Sequence, residues 1–218
     1  VLCSKFPKFF ILGVRESGIS AVKKLLESHP SIAGTKDDVE DTDDSQFFSG
    51  NTYIRGLHWY QNRFPEPDNG DTILFEASDT YFHDEESPRR ISALVPAAKI
   101  ILILDEPVEG ALCCIQDLQL QNNTNYTLRE VVNADATSLK SLRDIKSKCL
   151  KSRAYAVNLA RWLQFFSSNQ IFFVDGDQLF EDSINILNKI QRHVKAFPFI
   201  NFNNYLKYDS KKSRFCRL

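Results

Sequence analysis

The chain has 218 residues, with 27 Lys and Arg against 28 Asp and Glu and a formal net charge of −1 at pH 7. That length allows one globular domain with an extended apolar core, and the even charge balance gives no electrostatic case for a nucleic-acid partner. No apolar run is long enough to cross a bilayer and the start is not a signal peptide, so any anchor or targeting signal is expected outside this segment. With no methionine and Val1 as its first residue, the sequence is expected to be a processed chain or a piece of a longer one.

Taken in chain order, strand patterns alternate with helix patterns. Phe9 to Leu12 is an apolar run that ends in glycine, and Ser20 to Ser28 spaces Val22, Leu25 and Leu26 along one helical face. Asp37 to Ser45 is acidic and polar and reads as a solvated loop. Gly56 to Phe64 reads as a short helix and Ile73-Leu74-Phe75 as a second strand. Pro88 suits the first turn of a helix that runs through Leu94 and ends at Pro96. Lys99 to Leu104 is aliphatic throughout, as a buried parallel strand should be. Pro107 opens a helix to about Leu120, and Thr127-Leu128-Arg129-Glu130 is a capping-box start for another. Leu139 to Phe166 is helical with a break near Lys151-Ser152, Ile171 to Val174 is the last core strand, and Ser183 to Val194 is the last clear helix. No internal repeat or domain boundary is visible.

Strands separated by helices predict an α/β fold: a parallel central sheet covered by helices on both faces. Ligands bind beyond the carboxyl ends of such strands, so the segments after Leu12, Phe75, Leu104 and Val174 are expected to line the site. The first of these is a Gly13-to-Gly18 turn entering a helix, which presents backbone N–H groups and a positive helix end to an anion. The same glycines also serve close packing of strand on helix, and the turn is not a Walker loop because no Gly-Lys-Ser/Thr follows. His29, His58, His83 and His193 do not converge with other metal-ligating residues, and no metal is expected. The five cysteines (Cys3, Cys113, Cys114, Cys149 and Cys216) show no zinc spacing, Cys113 and Cys114 cannot easily bridge each other, and the odd count leaves a free thiol or a partner beyond Leu218. Two glycosylation sequons, starting at Asn122 and Asn125, fall in a polar stretch read as an exposed loop, which favours a secretory-pathway lumen.

The order of further motifs is more specific. Cys3-Ser4-Lys5-Phe6-Pro7-Lys8 precedes the first strand and Ser28-His29-Pro30-Ser31 follows the first helix. Then come Gln46-Phe47-Phe48-x-Gly50-x-x-Tyr53-x-x-Gly56-x-x-Trp59-Tyr60, Phe75-Glu76-x-Ser78-x-x-Tyr81-Phe82, Pro88-Arg89-Arg90, Arg161-Trp162-Leu163 and Phe215-Cys216. From Cys3 to the last residues this series resembles the sulfotransferase domain of the heparan sulfate N-deacetylase/N-sulfotransferases. The 3-O-sulfotransferases fit less well, although Gly13-Val14-Arg15 leans their way. The resemblance implies a three-layer, P-loop-like sulfotransferase fold and transfer of a sulfuryl group from 3′-phosphoadenosine 5′-phosphosulfate to a glucosamine of heparan sulfate. It implies that the first turn grips the 5′-phosphosulfate and the strand–helix junction after Leu104 the 3′-phosphate. It also implies a carboxylate base toward the acceptor, with lysine and histidine stabilising charge on the transferring group.

The same resemblance exposes departures. The family's lysine in the first turn is Glu16 here, and its two threonines are Ile19 and Ser20; Arg15, Ser17 and Gly18 complete the turn. A carboxylate about 4 Å from a phosphate oxygen repels it by ~4 kcal/mol at an effective dielectric near 20. At the second junction the family's arginine and serine are Gly110 and Cys113. The catalytic lysine position is Ala77 and the catalytic histidine position is Asp117, whereas the base is kept as Asp44. Lys212 persists near the end, followed by Ser213 in place of a glycine, and Phe215 replaces a tryptophan. The family continues into a basic loop that completes the donor site and supplies a disulfide partner for Cys216. The aromatic scaffold positions are all retained.

We therefore expect a sulfotransferase-fold module whose donor site and catalytic residues are largely lost. Its expected partners are a glycosaminoglycan chain (heparan or dermatan/chondroitin sulfate), contacted through Arg89 and Arg90, and further domains of the same polypeptide, in the Golgi or endoplasmic reticulum lumen. The sulfotransferase-like domain found beside an epimerase domain in dermatan-sulfate epimerase-like proteins is a similar context. The alternative expectation is an active N-sulfotransferase working through Arg15, Ser17, Ser20, Asp44 and Lys212.

Overall fold

The computed structural model describes residues 5–15, 17–36, 46–66, 72–209 and 214–217. Five strands form one parallel sheet: β1 (Phe9–Gly13), β2 (Ile32–Ala33), β3 (Ile73–Ser78), β4 (Lys99–Leu104) and β5 (Ile171–Asp175), in the spatial order β2-β3-β1-β4-β5. In the registers Phe9 lies opposite Phe75 and Lys99, and Leu102 lies opposite Phe173. The central strands are apolar at nearly every position because both faces are covered, as the sequence pattern requires.

The two-residue period of the strands sorts their side chains into two cores. On one face Phe9, Ile11, Phe75, Ile101, Ile103 and Val174 pack against α1 (Ile19–Leu26), α8 (Gly176–Glu181) and α9 (Ser183–Val194). On the other, Phe10, Leu12, Leu74, Ile100 and Leu102 meet Phe47 and Phe48, α2 (Gly56–Gln61), α3 (Ser87–Leu94) and α7 (Tyr155–Trp162). Burial of each such aromatic stabilises the fold by about 1.5–3 kcal/mol. The aromatic face also buries polar atoms with their partners. Glu76, 1% exposed, accepts hydrogen bonds from the hydroxyls of Tyr60 (2.5 Å) and Tyr81 (2.6 Å). Burial, and then the adjacent Glu76 charge, push the Tyr60 hydroxyl well above its ordinary pKa. The Trp162 indole donates to the Phe82 carbonyl at 3.1 Å.

A third, smaller core joins α4 (Pro107–Asn122), α5 (Leu128–Asn133) and α6 (Lys140–Lys146) to a π-helical turn over Ser147–Lys151. The Thr127–Glu130 capping box starts α5 with both of its bonds in place. A disulfide joins Cys114 to Cys149, and Cys113 is an exposed free thiol. The helical stretch from α6 to α7 is interrupted after Lys151, where the sequence places its break. An antiparallel pair, β6 (Leu206–Asp209) and β7 (Arg214–Arg217), lies apart from the main sheet.

Candidate functional site

The carboxyl ends of the parallel strands β1, β3, β4 and β5 share one end of the sheet, where the first turn follows β1 and the head of α4 follows β4. Gly13 ends β1 where a Cβ would collide with the Ile103 carbonyl of β4 and would lie 2.8 Å from Ser17 Oγ. Close strand packing thus fixes this glycine. Gly18 opens α1 in the left-handed region, φ +93°, a conformation suited to glycine. Between them the Ser17 N–H donates to the Val14 carbonyl at 3.2 Å. Ser17 is 2% exposed, and its Oγ has no hydrogen-bond partner. Ile19 faces the apolar core rather than the turn, while Ser20 is exposed on the first turn of α1. Arg15 is half-buried, and its carbonyl accepts from Arg153 Nη2 at 3.0 Å. Glu16, Asp44 and Lys212 lie outside the described residues.

At the end of β3, Ala77 is 7% exposed and belongs to the apolar cluster under α1. Asp117 is half-buried on α4, and Cys113 is exposed one turn earlier on the same helix. The head of α4 is acidic: Glu106 is its N-cap, accepting from the Glu109 N–H at 2.6 Å. Gly110 is buried, and the space where its side chain would stand is filled from another element. A Cβ on Gly110 would lie 2.6 Å from Arg153 Nε and 2.7 Å from Arg153 Nη2, and closer still to Asp105 Oδ2. Arg153 Nη2 donates to Asp105 Oδ2 at 2.8 Å, and the Tyr155 hydroxyl donates to Asp105 Oδ1 at 2.5 Å. Burial, followed by the hydrogen bond to Asp105, raises the Tyr155 hydroxyl far above its ordinary pKa. The sequence reading did not single out Arg153. Nothing in its immediate neighbourhood marks it, because its partner lies 48 residues away.

The basic residues assigned to a polysaccharide separate into different settings. Arg89 is exposed and pairs with Glu86. Arg90 donates to the Phe48 carbonyl at 2.8 Å and lies 4.4 Å over the Tyr53 ring, so part of its work is structural. Arg55 and Arg63 lie 4.9 and 5.2 Å over Trp59. Phe47, Tyr53, Gly56, Leu57, Arg90 and α3 line a cavity of about 320 Å³ beside them. Lys8 lines a different cavity at the amino ends of β1 and β4, and Lys5 is paired with Glu66.

The histidines remain dispersed. Burial lowers the pKa of His29, His83 and His193, and His58 is exposed. Among the described residues no group of three or more His, Cys, Asp or Glu could hold a metal, and no helix is long and apolar enough to cross a membrane. Asn122 and Asn125 are both exposed, at the end of α4 and in the loop after it.

The comparisons with known proteins agree with this architecture. A family model described as "Sulfotransferase domain" matches residues 6–216. A bifunctional heparan sulfate N-deacetylase/N-sulfotransferase of Drosophila melanogaster is 34% identical over 99% of this chain and 22% of its own length. Bifunctional heparan sulfate N-deacetylase/N-sulfotransferase 3 of Homo sapiens is 35% identical over 99% of this chain and 25% of its own length. The chain thus spans about a quarter of the length of the curated relatives it matches. Among solved structures, a sulfotransferase from Alicyclobacillus acidocaldarius superposes with a TM-score of 0.71 at 20% identity, covering 94% of this chain and 87% of that one. With its parallel order β2-β3-β1-β4-β5, its glycine turn into α1 and its match from residue 6 to residue 216, the chain belongs to the sulfotransferase domain family.

Proposed function

We propose that this domain is a non-catalytic or impaired sulfotransferase module of a glycosaminoglycan-modifying protein, with further domains in the same polypeptide. The observation that carries this reading is the rim at the head of α4. Sulfuryl transfer needs cations and aimed donors around charge that develops on oxygen. Here Ala77 is folded into the apolar core, Glu106 and Glu109 bring negative charge to the head of α4, and the Arg153 guanidinium is paired with Asp105. The residues present do not fit a 3′-phosphate at this junction, and no transfer step is assigned to the domain.

A glycosaminoglycan is the proposed partner. Tyr53, Leu57 and Arg55 are exposed together, and ring faces beside guanidinium groups suit a sulfated sugar, whose apolar face stacks while its anions pair. The Cys114–Cys149 disulfide and the two exposed sequons support the lumen of the Golgi or endoplasmic reticulum, where thiols oxidise and sequons are read.

Two assays test the reading. Incubation with 3′-phosphoadenosine 5′-phosphosulfate and a de-N-acetylated heparan chain should give no sulfate incorporation above a no-protein control; turnover that Asp44→Asn abolishes would establish the active N-sulfotransferase instead. Retention on immobilised heparin or dermatan sulfate should weaken in Arg55→Ala/Arg89→Ala, which removes exposed cations. Unchanged elution would remove the proposed polysaccharide surface.

A further inference from the structure

Arg153 stands just before α7, in a turn that the structure fixes from several sides. The Asn158 amide donates to the carbonyls of Lys151 (3.2 Å) and Ser152 (3.1 Å), and the Tyr155 N–H donates to the Arg153 carbonyl at 2.8 Å. The Cys114–Cys149 disulfide, with its Cα atoms 5.6 Å apart, bonds α4 to the π-helical turn, one helical turn beyond Gly110 and just ahead of Arg153. These restraints deliver a guanidinium whose side chain is 2% exposed onto the bare backbone of Gly110. A buried cation without a counter-charge is costly, and Asp105 supplies that charge at 2.8 Å. Asp105 is in turn held by Tyr155, and Arg153 Nη2 also reaches the Arg15 carbonyl in the first turn. The unit therefore ties together four segments: the β1 turn, the end of β4, the head of α4 and the start of α7. Arg153 Nε and Nη1 are buried without hydrogen-bond partners, and Nε faces the position of the missing Gly110 side chain.

We propose that the Arg153–Asp105 pair is an internal plug in the second phosphate niche: Arg153 fills the volume left by Gly110, and the Asp105 carboxylate serves as the counter-ion that a ligand phosphate would otherwise provide. This rests on the reading of the junction after Leu104 as the counterpart of the family's 3′-phosphate element. The plug makes the niche select against nucleotides with a 3′-phosphate. An incoming phosphate meets the Asp105 carboxylate and the acidic residues Glu106 and Glu109, and the Arg153 guanidinium is already paired with Asp105. Gly110 is thereby a required gap and not simply a missing arginine, so restoring a side chain at this position has the opposite of a repairing effect.

A thermal-unfolding cycle tests the plug without any ligand. Gly110→Ala should lower the melting temperature of the otherwise unchanged protein by about 3–10 °C, since a methyl forced into filled space costs about 1–3 kcal/mol. In an Asp105→Ala/Arg153→Ala background the same change should be neutral or raise the melting temperature, because alanine is the better helix former. If that background does not fold, Arg153→Met alone provides it, and the loss caused by Gly110→Ala should shrink there. An equal loss in both backgrounds would overturn the plug. Calorimetry with 3′-phosphoadenosine 5′-phosphate against adenosine 5′-phosphate separates this inference from the proposed function. Binding of adenosine 5′-phosphate that the added 3′-phosphate weakens would sink the non-catalytic reading and leave the plug standing, whereas binding indifferent to the 3′-phosphate would overturn the plug. Tighter binding of the 3′-phosphorylated nucleotide, lost in Arg153→Met, would show Arg153 to be a ligand-binding residue and overturn the plug.

Discussion

Glu76 and Ala77 are neighbours on β3, yet their side chains belong to opposite faces of the sheet. Glu76 points into the aromatic face, where the Tyr60 and Tyr81 hydroxyls donate to its carboxylate, and Trp162, Phe48 and Phe82 belong to the surrounding cluster. Ala77 points the other way, into the apolar cluster under α1. The difference shows which constraint acts on each. Loss of Glu76 would leave two buried hydroxyls without an acceptor, a folding penalty that stands whether or not the protein is an enzyme. Ala77 contributes only a methyl group to the apolar cluster, so far less of the folding free energy rests on it.

The sharpest way to break this comparison is to perturb the aromatic face. Trp162→Ala removes a fully buried ring and the indole bond to Phe82, and should cost about 3–5 kcal/mol in denaturant unfolding. A cost below about 1 kcal/mol would show that this face is not the structural half. Next in size is the disulfide. Cys114→Ser/Cys149→Ser opens a loop with a sequence separation of 35, worth about 4 kcal/mol on chain-entropy grounds. An unchanged melting temperature under reducing and non-reducing conditions would mean that the bond does not form.

A smaller effect comes with pH. Burial holds the imidazoles of His29, His83 and His193 below their ordinary pKa. The unfolded chain takes up these protons near pH 6.5, whereas the folded chain does so only at lower pH. The stability is therefore fully present above about pH 6.5 and declines as the pH falls toward the lowered values. Melting temperatures recorded from pH 8 to pH 5 should fall on the acid side, and His29→Gln should flatten the curve. A curve that rises on acidification would contradict the assignment. Smaller again is Thr127→Ala, which removes the N-cap of α5 and should cost about 1 kcal/mol in unglycosylated protein; Thr127→Ser should recover most of it. Smallest of all, Asp117→His and Cys113→Ser on α4 should each change stability by less than about 0.5 kcal/mol. Larger losses there would mean that these positions, too, are held by folding.

Most of the architecture was legible because its elements are long and periodic. The all-aliphatic run Lys99 to Leu104, the Pro107 helix start and the Thr127–Glu130 box each carry a local signal that survives into β4, α4 and α5. The elements missed are those without such a signal. With only two residues, Ile32–Ala33 is too short to show a period, and β2 forms because β3 offers it a pairing edge. The helix α8 begins at Gly176 behind an Asp175 cap and reads locally as a polar loop. At the candidate site, Ala77, Gly110, Cys113 and Asp117 stood out only through the resemblance, and what surrounds them in space was not legible. Gly110 reads as a deletion of charge, and only the fold reveals that Arg153 and Asp105 occupy its place. The Cys114–Cys149 pairing was equally hidden, since five cysteines leave many pairings open until α4 and the π-helical turn are brought together.

Donor binding is the most direct test of whether this domain still works as a sulfotransferase. Isothermal titration of the full-length protein against 3′-phosphoadenosine 5′-phosphate should show no saturable heat up to millimolar ligand, and Glu16→Lys alone should not restore it. Micromolar binding by the unaltered protein would contradict the account and return the domain to the working sulfotransferases.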